Sequence, residues 1–554
     1  MMPMTPLLAA RSQMAVSLAF HIVFAALGVG LPLLMFIAEG LGMRRRDTTW
    51  YSLAKRWSKA FGILYAIGAV SGTVLSFELG LLWPRFMRFA GPVFGLAFYL
   101  EAIAFFIEGI FLGVYLYSWD KLSPLWHWLC CLPLVVGGIA SSLFVTTANA
   151  WMNTPAGFNN DNGVPVNIHP IAALLNPSAP WEAIHMTVAA IEATAFGAAG
   201  VYAFAMLRGR RGDYERKGMV LSMAIGSILA PIQIWVGDQT SRMVAHTQPA
   251  KLAALEGLFQ TTRYAPLTFF GWPDPASQQT YFGIQIQDLL SFLSFEDTSA
   301  QVQGLDAFPP GSQPDARLLH IPYDTMAGIG FGLTALMLWF WYVYFRRRRA
   351  VEQGNWGKWL LRAVFLSGPA SFLAIELGWM VTELGRQPYI IYHIMYVAQG
   401  VTTASGLLIS FPIFLALYIL LGIATTYFLL RLGRERKEKP IPIEEILRSG
   451  RRGEPPPDLA DEAEERAQAG SADERGGREA VPAYALATSA GSARHEMAAN
   501  YLATAPTPGK PSARSIVVSF ALMVAFSAAA FFLGGRHLRD DAGATRDRHV
   551  GRPR

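Results

Sequence analysis

The chain has 554 residues, of which 52% are hydrophobic and only 16% are charged, against about 25% charged in an ordinary soluble domain. With 35 Phe and 15 Trp and a mean hydropathy of +0.30, much of the surface faces something other than water, so the chain belongs in a membrane. Two adjacent cysteines, Cys130 and Cys131, exclude a disulfide framework and a Cys-ligated zinc or iron–sulfur centre, and the net charge of +6 lies in clusters between apolar runs, not on a face that would read nucleic acid.

An α-helical span needs about 20 largely apolar residues. In chain order the sequence predicts spans near 14–38, 61–82, 92–117, 126–148, 181–207, 219–237, 323–345, 360–382 and 406–430. A spanning barrel would show short alternating segments instead. The fold class is therefore an all-α integral membrane protein, with about nine transmembrane helices in bundles. Residues 433–514 are rich in Glu, Arg, Pro, Ala and Gly and read as a disordered cytoplasmic tail. Within 515–554 the apolar run Ile516–Leu533 is a candidate tenth helix.

Lysine and arginine set the orientation. Arg44–Arg46 with Lys55, Arg56 and Lys59, then Arg208–Lys217, Arg346–Arg349 and Arg431–Lys439 fall at alternate ends of the spans. The stretch Asn149–Pro180 carries no Lys or Arg. The N-terminus and the 240–320 loop are expected outside and the basic loops inside, in a multi-pass membrane protein. Met1–Ala10 has no basic n-region, so the first span is expected to stay in the membrane.

An ionisable group at a helix centre costs roughly 2.5–3.5 kcal/mol on insertion scales, so each one asks for a reason. The spans hold His21 and His185 and the acids Glu78, Glu101, Glu108, Glu192 and Glu376. The topology sets His21, His185, Met326 and Glu376 at similar depth, nearer the outer face, and imidazole, thioether and oxygen can each ligate haem iron. Taken singly, a hydrogen-bonded structural histidine or a packing methionine explains them as well. Glu101 and Glu108 share a helix face about 10 Å apart along the axis, which suits a proton relay or a pair of interhelical hydrogen bonds. Glu192 keeps the same offset from His185. Lys251 and Glu256, five apart in Gln248–Glu256, miss the i,i+4 spacing and fit a solvated helix face as well as a site.

These stretches together resemble subunit I of the cytochrome bd-type quinol oxidases, over about residues 8–432. The resemblance rests on Arg11-Ser-Gln13 with His21, Trp57-Ser-Lys-Ala-Phe-Gly62, Ala104-Phe-Phe-Ile-Glu108, Ser118-Trp-Asp-Lys-Leu122 and Ala148-Asn-Ala-Trp-Met-Asn-Thr-Pro155. It continues through Gly237-Asp238, Gln248–Glu256, Gly283-Ile-Gln-Ile286, Glu376-Leu-Gly-Trp379 and Gly385-Arg-Gln-Pro388. The family oxidises ubiquinol or menaquinol and reduces dioxygen to water without copper, as a heterodimer with a subunit II. The resemblance implies that His185 and Met326 ligate a low-spin haem b. His21 and Glu376 would serve the two high-spin haems, one haem b and the other haem d or a third haem b. It further implies that Lys251 and Glu256 contact quinol in the outer loop, and that Glu101 and Glu108 act catalytically in proton delivery. Trp379 and Arg386 belong to the signature without an assigned role.

The sequence departs from the pattern at several points. Asp324 stands where many relatives carry Arg, Phe372 where the better-known members have Trp, and the 240–320 loop is short, as in the cyanide-insensitive branch. Two other readings remain. A quinol-reactive b-type cytochrome that passes electrons to a partner other than oxygen would need saturated haems; a secondary transporter would need inverted repeats, and none is visible.

Overall fold

The computed structural model describes residues 5–404 and 406–434; of the tail expected at 433–514 only 433–434 are described, as the end of a helix, and the rest of it and the candidate tenth helix within 515–554 lie outside the described residues. In chain order the helices are α1 (Pro6–Arg45), α2 (Thr48–Leu82), α3 (Pro84–Tyr117), α4 (Pro124–Asn153), α5 (Pro170–Leu174), α6 (Ala179–Leu207) and α7 (Asp213–Thr247). They continue with α8 (Pro249–Leu255), α9 (Leu289–Phe295), α10 (Ala316–Arg346), α11 (Arg348–Glu352), α12 (Lys358–Gly385), α13 (Val397–Gly400) and α14 (Leu407–Arg434). Among the described residues nine of these, α1–α4, α6, α7, α10, α12 and α14, are long and apolar enough to cross a membrane.

Local chemistry sets the helix ends. Thr5 caps α1 by accepting from the Leu8 amide at 3.3 Å, and Asp47 caps α2 by accepting from the Thr49 amide at 2.9 Å. Prolines open α3, α4 and α8, where a missing N–H costs nothing. Several helices run beyond their apolar windows: α7 covers 213–247 where hydropathy marks 219–237. Backbone hydrogen bonding continues after the residues stop being apolar, so much of the segment expected as an outer loop is helical at its two ends. Between them, Leu267–Phe269 pairs with Ile284–Ile286 and Trp272–Asp274 with Gln279–Tyr281, forming a small hairpin layer.

Helix α1 is the central element and packs against α2, α4, α6 and α14. With little hydrophobic drive between helices in lipid, close approach depends on small residues and interhelical hydrogen bonds. At the α1–α6 crossing a Cβ on Gly30 would lie 2.3 Å from the Thr194 Cβ, and the Thr194 hydroxyl reaches the Ala26 carbonyl at 3.0 Å.

Gly30→Ala forces α1 and α6 apart and is expected to cost about 1–3 kcal/mol, read as a lowered thermal midpoint of the purified protein. Gly113→Ala, with nothing within 4 Å of its added carbon, leaves the midpoint in place.

Candidate functional site

His21 projects from α1 towards α2. Its Nδ1 lies 3.0 Å from the Ser71 hydroxyl, which itself donates to the Gly68 carbonyl at 3.0 Å. With the hydroxyl proton committed, Nδ1–H is the donor to Ser71, so Nε2 keeps its lone pair. That is how a second-shell partner prepares a ligating imidazole. The ring rests on Gly72, where a Cβ would come within 2.9 Å of Cε1. On the same face of this central helix Ala25 is exposed, and no atom lies within 4 Å of where a Cβ on Gly28 would sit.

His185 projects from α6 onto α7, with Gln233 Nε2 at 3.1 Å from its Nε2 and Gly237 under the ring. Its Nδ1 is buried without a hydrogen-bond partner. Met326, on α10, sets its sulfur 3.1 Å from where a Cβ on Gly378 of α12 would be. Glu376, on α12, is 3% exposed. Helix α12 packs against both α6 and α10, so His185, Met326 and Glu376 come from helices that meet. An unpartnered imidazole nitrogen, an imidazole with its other nitrogen on a hydroxyl, a thioether and a buried carboxylate are donors suited to haem iron. The residues present therefore fit haem.

The two carboxylates of α3 both face α4. Ser141 donates to Glu101 at 3.1 Å, and Glu108 packs where α4 has only Gly137 and Gly138, with one carboxyl oxygen lacking a partner. Seven residues on, Tyr115 donates to Glu39 at 2.7 Å, and His127 Nδ1 lies 2.6 Å from the same carboxylate. Tyr115, Glu39 and His127 thus tie α3, α1 and α4 together near the basic end. Glu192 is buried within α6.

Lys251 and Glu256 are each 3% exposed, so a solvated face does not describe them. They face different neighbours. Lys251 lies along Gly385 of α12, where a Cβ would come within 2.6 Å of its Cε, and its Nζ donates to Gln248 at 3.3 Å. Burial brings its pKa down to about 8, with Glu182 opposing and Arg386 adding to the shift. Glu256 faces Tyr323 and Asp324 of α10; burial first, then the Asp324 charge, pushes its carboxyl up to about 8.

Around Lys251 lies a polar network that hydropathy alone does not reveal. Asn149 donates to Glu383 at 2.6 Å, Arg386 to the other Glu383 oxygen at 2.5 Å, and Asn153 to Thr382 at 3.2 Å and Glu182 at 3.3 Å. Arg386 is 2% exposed, and its Nε and Nη1 have no partner. Trp379 sits on the same helix with its indole N–H also unpartnered. Asp324 accepts from the Phe270 amide at 2.7 Å and lies 3.3 Å from His320, so it fastens the outer hairpin to α10. Ser71, Gln233, Asn149, Asn153 and Glu39 were not among the expected site residues. The Asn149/Asn153 spacing of four is the signal that could have marked two of them.

Residues 9–437 match the family described as cytochrome bd terminal oxidase subunit I. The chain is 35% identical to the putative cytochrome bd menaquinol oxidase subunit I of Bacillus subtilis, over 80% of this chain and 99% of that protein. It is 30% identical to the cytochrome bd ubiquinol oxidase subunit 1 of the same organism, over 77% and 93%. With the cytochrome bd-II ubiquinol oxidase subunit 1 of Escherichia coli it shares 27% identity over 76% and 95%. Among solved structures, the bd oxidase from Geobacillus thermodenitrificans matches with a TM-score of 0.74 and 36% identity, covering 79% of this chain and 100% of that one.

Asn153→Ala removes the shared donor to Glu182 and Thr382 and leaves a buried carboxylate less satisfied. It is expected to cost about 1–3 kcal/mol, measured as a lower thermal midpoint than that of the parent.

Proposed function

The chain belongs to the cytochrome bd terminal oxidase subunit I family, and we propose that it is the haem-bearing subunit of a copper-free quinol oxidase that takes protons for water from the basic side of the membrane. In this reading the N-terminus lies outside the bacterial inner membrane, and a second subunit completes the complex. The observation that carries the reading is the state of the two span histidines: Ser71 holds His21 with Nε2 open, and His185 keeps a buried nitrogen unpartnered.

His185 and Met326 would hold a low-spin haem b. His21 and Glu376 would serve two high-spin haems, one haem b and the other haem d or a further haem b. When bound, the haems supply one-electron transfer and the reduction of dioxygen. The remaining steps belong to the chain's own side chains. Glu256 and Lys251 would bind ubiquinol or menaquinol from the outer side, with Glu256 as carboxylate taking a hydroxyl proton and Lys251 holding an oxygen. The network of Asn149, Asn153, Glu182, Glu383 and Arg386 positions Lys251. On the opposite course, Glu108 and Glu101 would pass protons outward along the face of α3, with Ser141 orienting Glu101. Protons released outside and consumed from inside separate charge across the membrane without a pump.

The test is a reduced-minus-oxidised absorption spectrum of purified membranes, with pyridine-haem extraction and quinol-dependent oxygen uptake. A haem d band beside b-type bands supports a haem b and d enzyme, and b-type bands alone with oxygen uptake support the haem-b-only form. Quinol oxidation without oxygen uptake would instead mark a b-type cytochrome with another acceptor. His185→Ala is expected to remove the low-spin haem spectrum and quinol oxidation together; an unchanged spectrum overturns the ligand assignment.

The outer pocket has its own signature in pH. Below about 8 the Glu256 carboxyl is protonated and cannot accept a quinol proton, so kcat/KM should rise with pH and level off near 8. Lys251 loses its charge over the same range, which turns the profile down above it. Glu256→Gln is expected to flatten the acid limb and keep the alkaline one, in a steady-state pH series.

A further inference from the structure

The basic end of the bundle holds a cavity that takes no part in the chemistry above. It has a volume of 620 Å³ and lies where the end of α6 meets the start of α12, with Leu207, Trp356 and Leu361 as its apolar wall and Arg211, Lys358 and Arg362 as its cations. No acidic residue lines it. The contrast with neighbouring cations is informative. Lys217 is paired with Asp47 and Asp213, Arg216 with Asp213, and Arg348 with Glu352, whereas Arg211, Lys358 and Arg362 make no salt bridge among the described residues.

Three further features give the cavity the character of an anion site. Gly357 starts α12 without a side-chain cap, so the first-turn amides of a 28-residue helix point their positive end there. The Arg362 guanidinium lies over the Trp359 ring, 4.7 Å from its centroid. Gly354, at φ +79, lets the loop close on Arg211, since a Cβ there would lie 2.8 Å from the Arg211 Cβ. Trp359 is 73% exposed, as an aromatic residue at the headgroup level of a membrane would be. The positive-inside bias asks only for charge on this side of the membrane. It does not ask for three unpaired cations around a concavity with an apolar wall.

We infer that this cavity binds a phosphate-bearing anion, presented in the membrane as the headgroup of an anionic phospholipid with its glycerol and upper acyl carbons against Leu207 and Leu361. Bidentate guanidinium contacts from Arg211 and Arg362 suit phosphate oxygens, and Lys358 adds a point charge. That the leaflet is the inner one rests on the orientation proposed above; the site itself does not.

The experiment uses the detergent-purified, delipidated oxidase with its partner subunit and follows lipid binding by native mass spectrometry. Dioleoylphosphatidylglycerol, dioleoylphosphatidylcholine and inorganic phosphate are the probes, against the parent and the triple variant Arg211→Gln, Lys358→Gln, Arg362→Gln. The expected result is one phosphatidylglycerol held about tenfold or more tightly than phosphatidylcholine by the parent, and that preference lost in the variant, the scale of losing charge-assisted contacts. Displacement by inorganic phosphate at matched concentration assigns the same cations to a soluble phosphate; its failure to displace assigns them to lipid. Equal phosphatidylglycerol binding by parent and variant, or no preference over phosphatidylcholine, overturns the inference. The haem spectrum and quinol-dependent oxygen uptake, recorded on both proteins, report folding and the proposed function separately, since a parent without haem defeats that function and leaves the lipid result standing.

Discussion

An ionisable side chain in the hydrocarbon region has no water to turn to, and that cost decides where this chain can keep its polar groups. The bundle meets it in two ways. Some groups are tied to neighbours through both oxygens, as Glu39 is by Tyr115 and His127 at once. Others keep one atom unpaired. His185 Nδ1 and one oxygen of Glu108 are buried without partners, and those are atoms a haem or a travelling proton would use. Partial satisfaction in the interior is costly, and it recurs at Glu78, Glu108, His185, Trp379 and Arg386.

Glycine provides the second half of that arrangement. His21 lies on Gly72, His185 on Gly237, Met326 on Gly378 and Glu108 on Gly137 and Gly138. In each case a neighbouring helix gives up its side chain so that the opposing one can lie against its backbone. The same device brings Lys251 against Gly385, outside the spans. Close helix approach through small residues is ordinary in membranes; here the small residues stand opposite the candidate ligands as well as at plain crossings such as Gly30 on Thr194.

Much of this was legible in the sequence. Hydropathy located the nine spans, lysine and arginine placed their ends, and the cost of buried charge singled out His21, His185, Glu101 and Glu108. The seven-residue spacing put both glutamates on one face of α3, and that face meets α4. The partners were not legible. Ser71 and Gln233 are unremarkable inside apolar windows, because nothing local says which helix will lie opposite. Glu39 escaped notice for a different reason. It sits at the end of a span next to basic residues, where a carboxylate looks like a boundary and not a buried anchor. Burial of Lys251 and Glu256 depends on α12 and α10 closing over a seven-residue helix, which no periodicity within that helix can report.

The separation of those two residues follows from helix geometry. Five positions at about 100° each leave them roughly 140° apart on α8, so they do not pair with each other and meet different neighbouring helices. One looks to the end of α12, the other to the start of α10, the helix that carries Met326 two residues after Asp324. Because Asp324 accepts from the Phe270 amide, the outer hairpin, the Glu256 pocket and the Met326 helix are joined mechanically. A change in the hairpin's position would therefore reach the Glu256 carboxyl and the entry of α10 together. An aspartate at this position does the work of a fastener, holding the hairpin backbone on one side and His320 on the other.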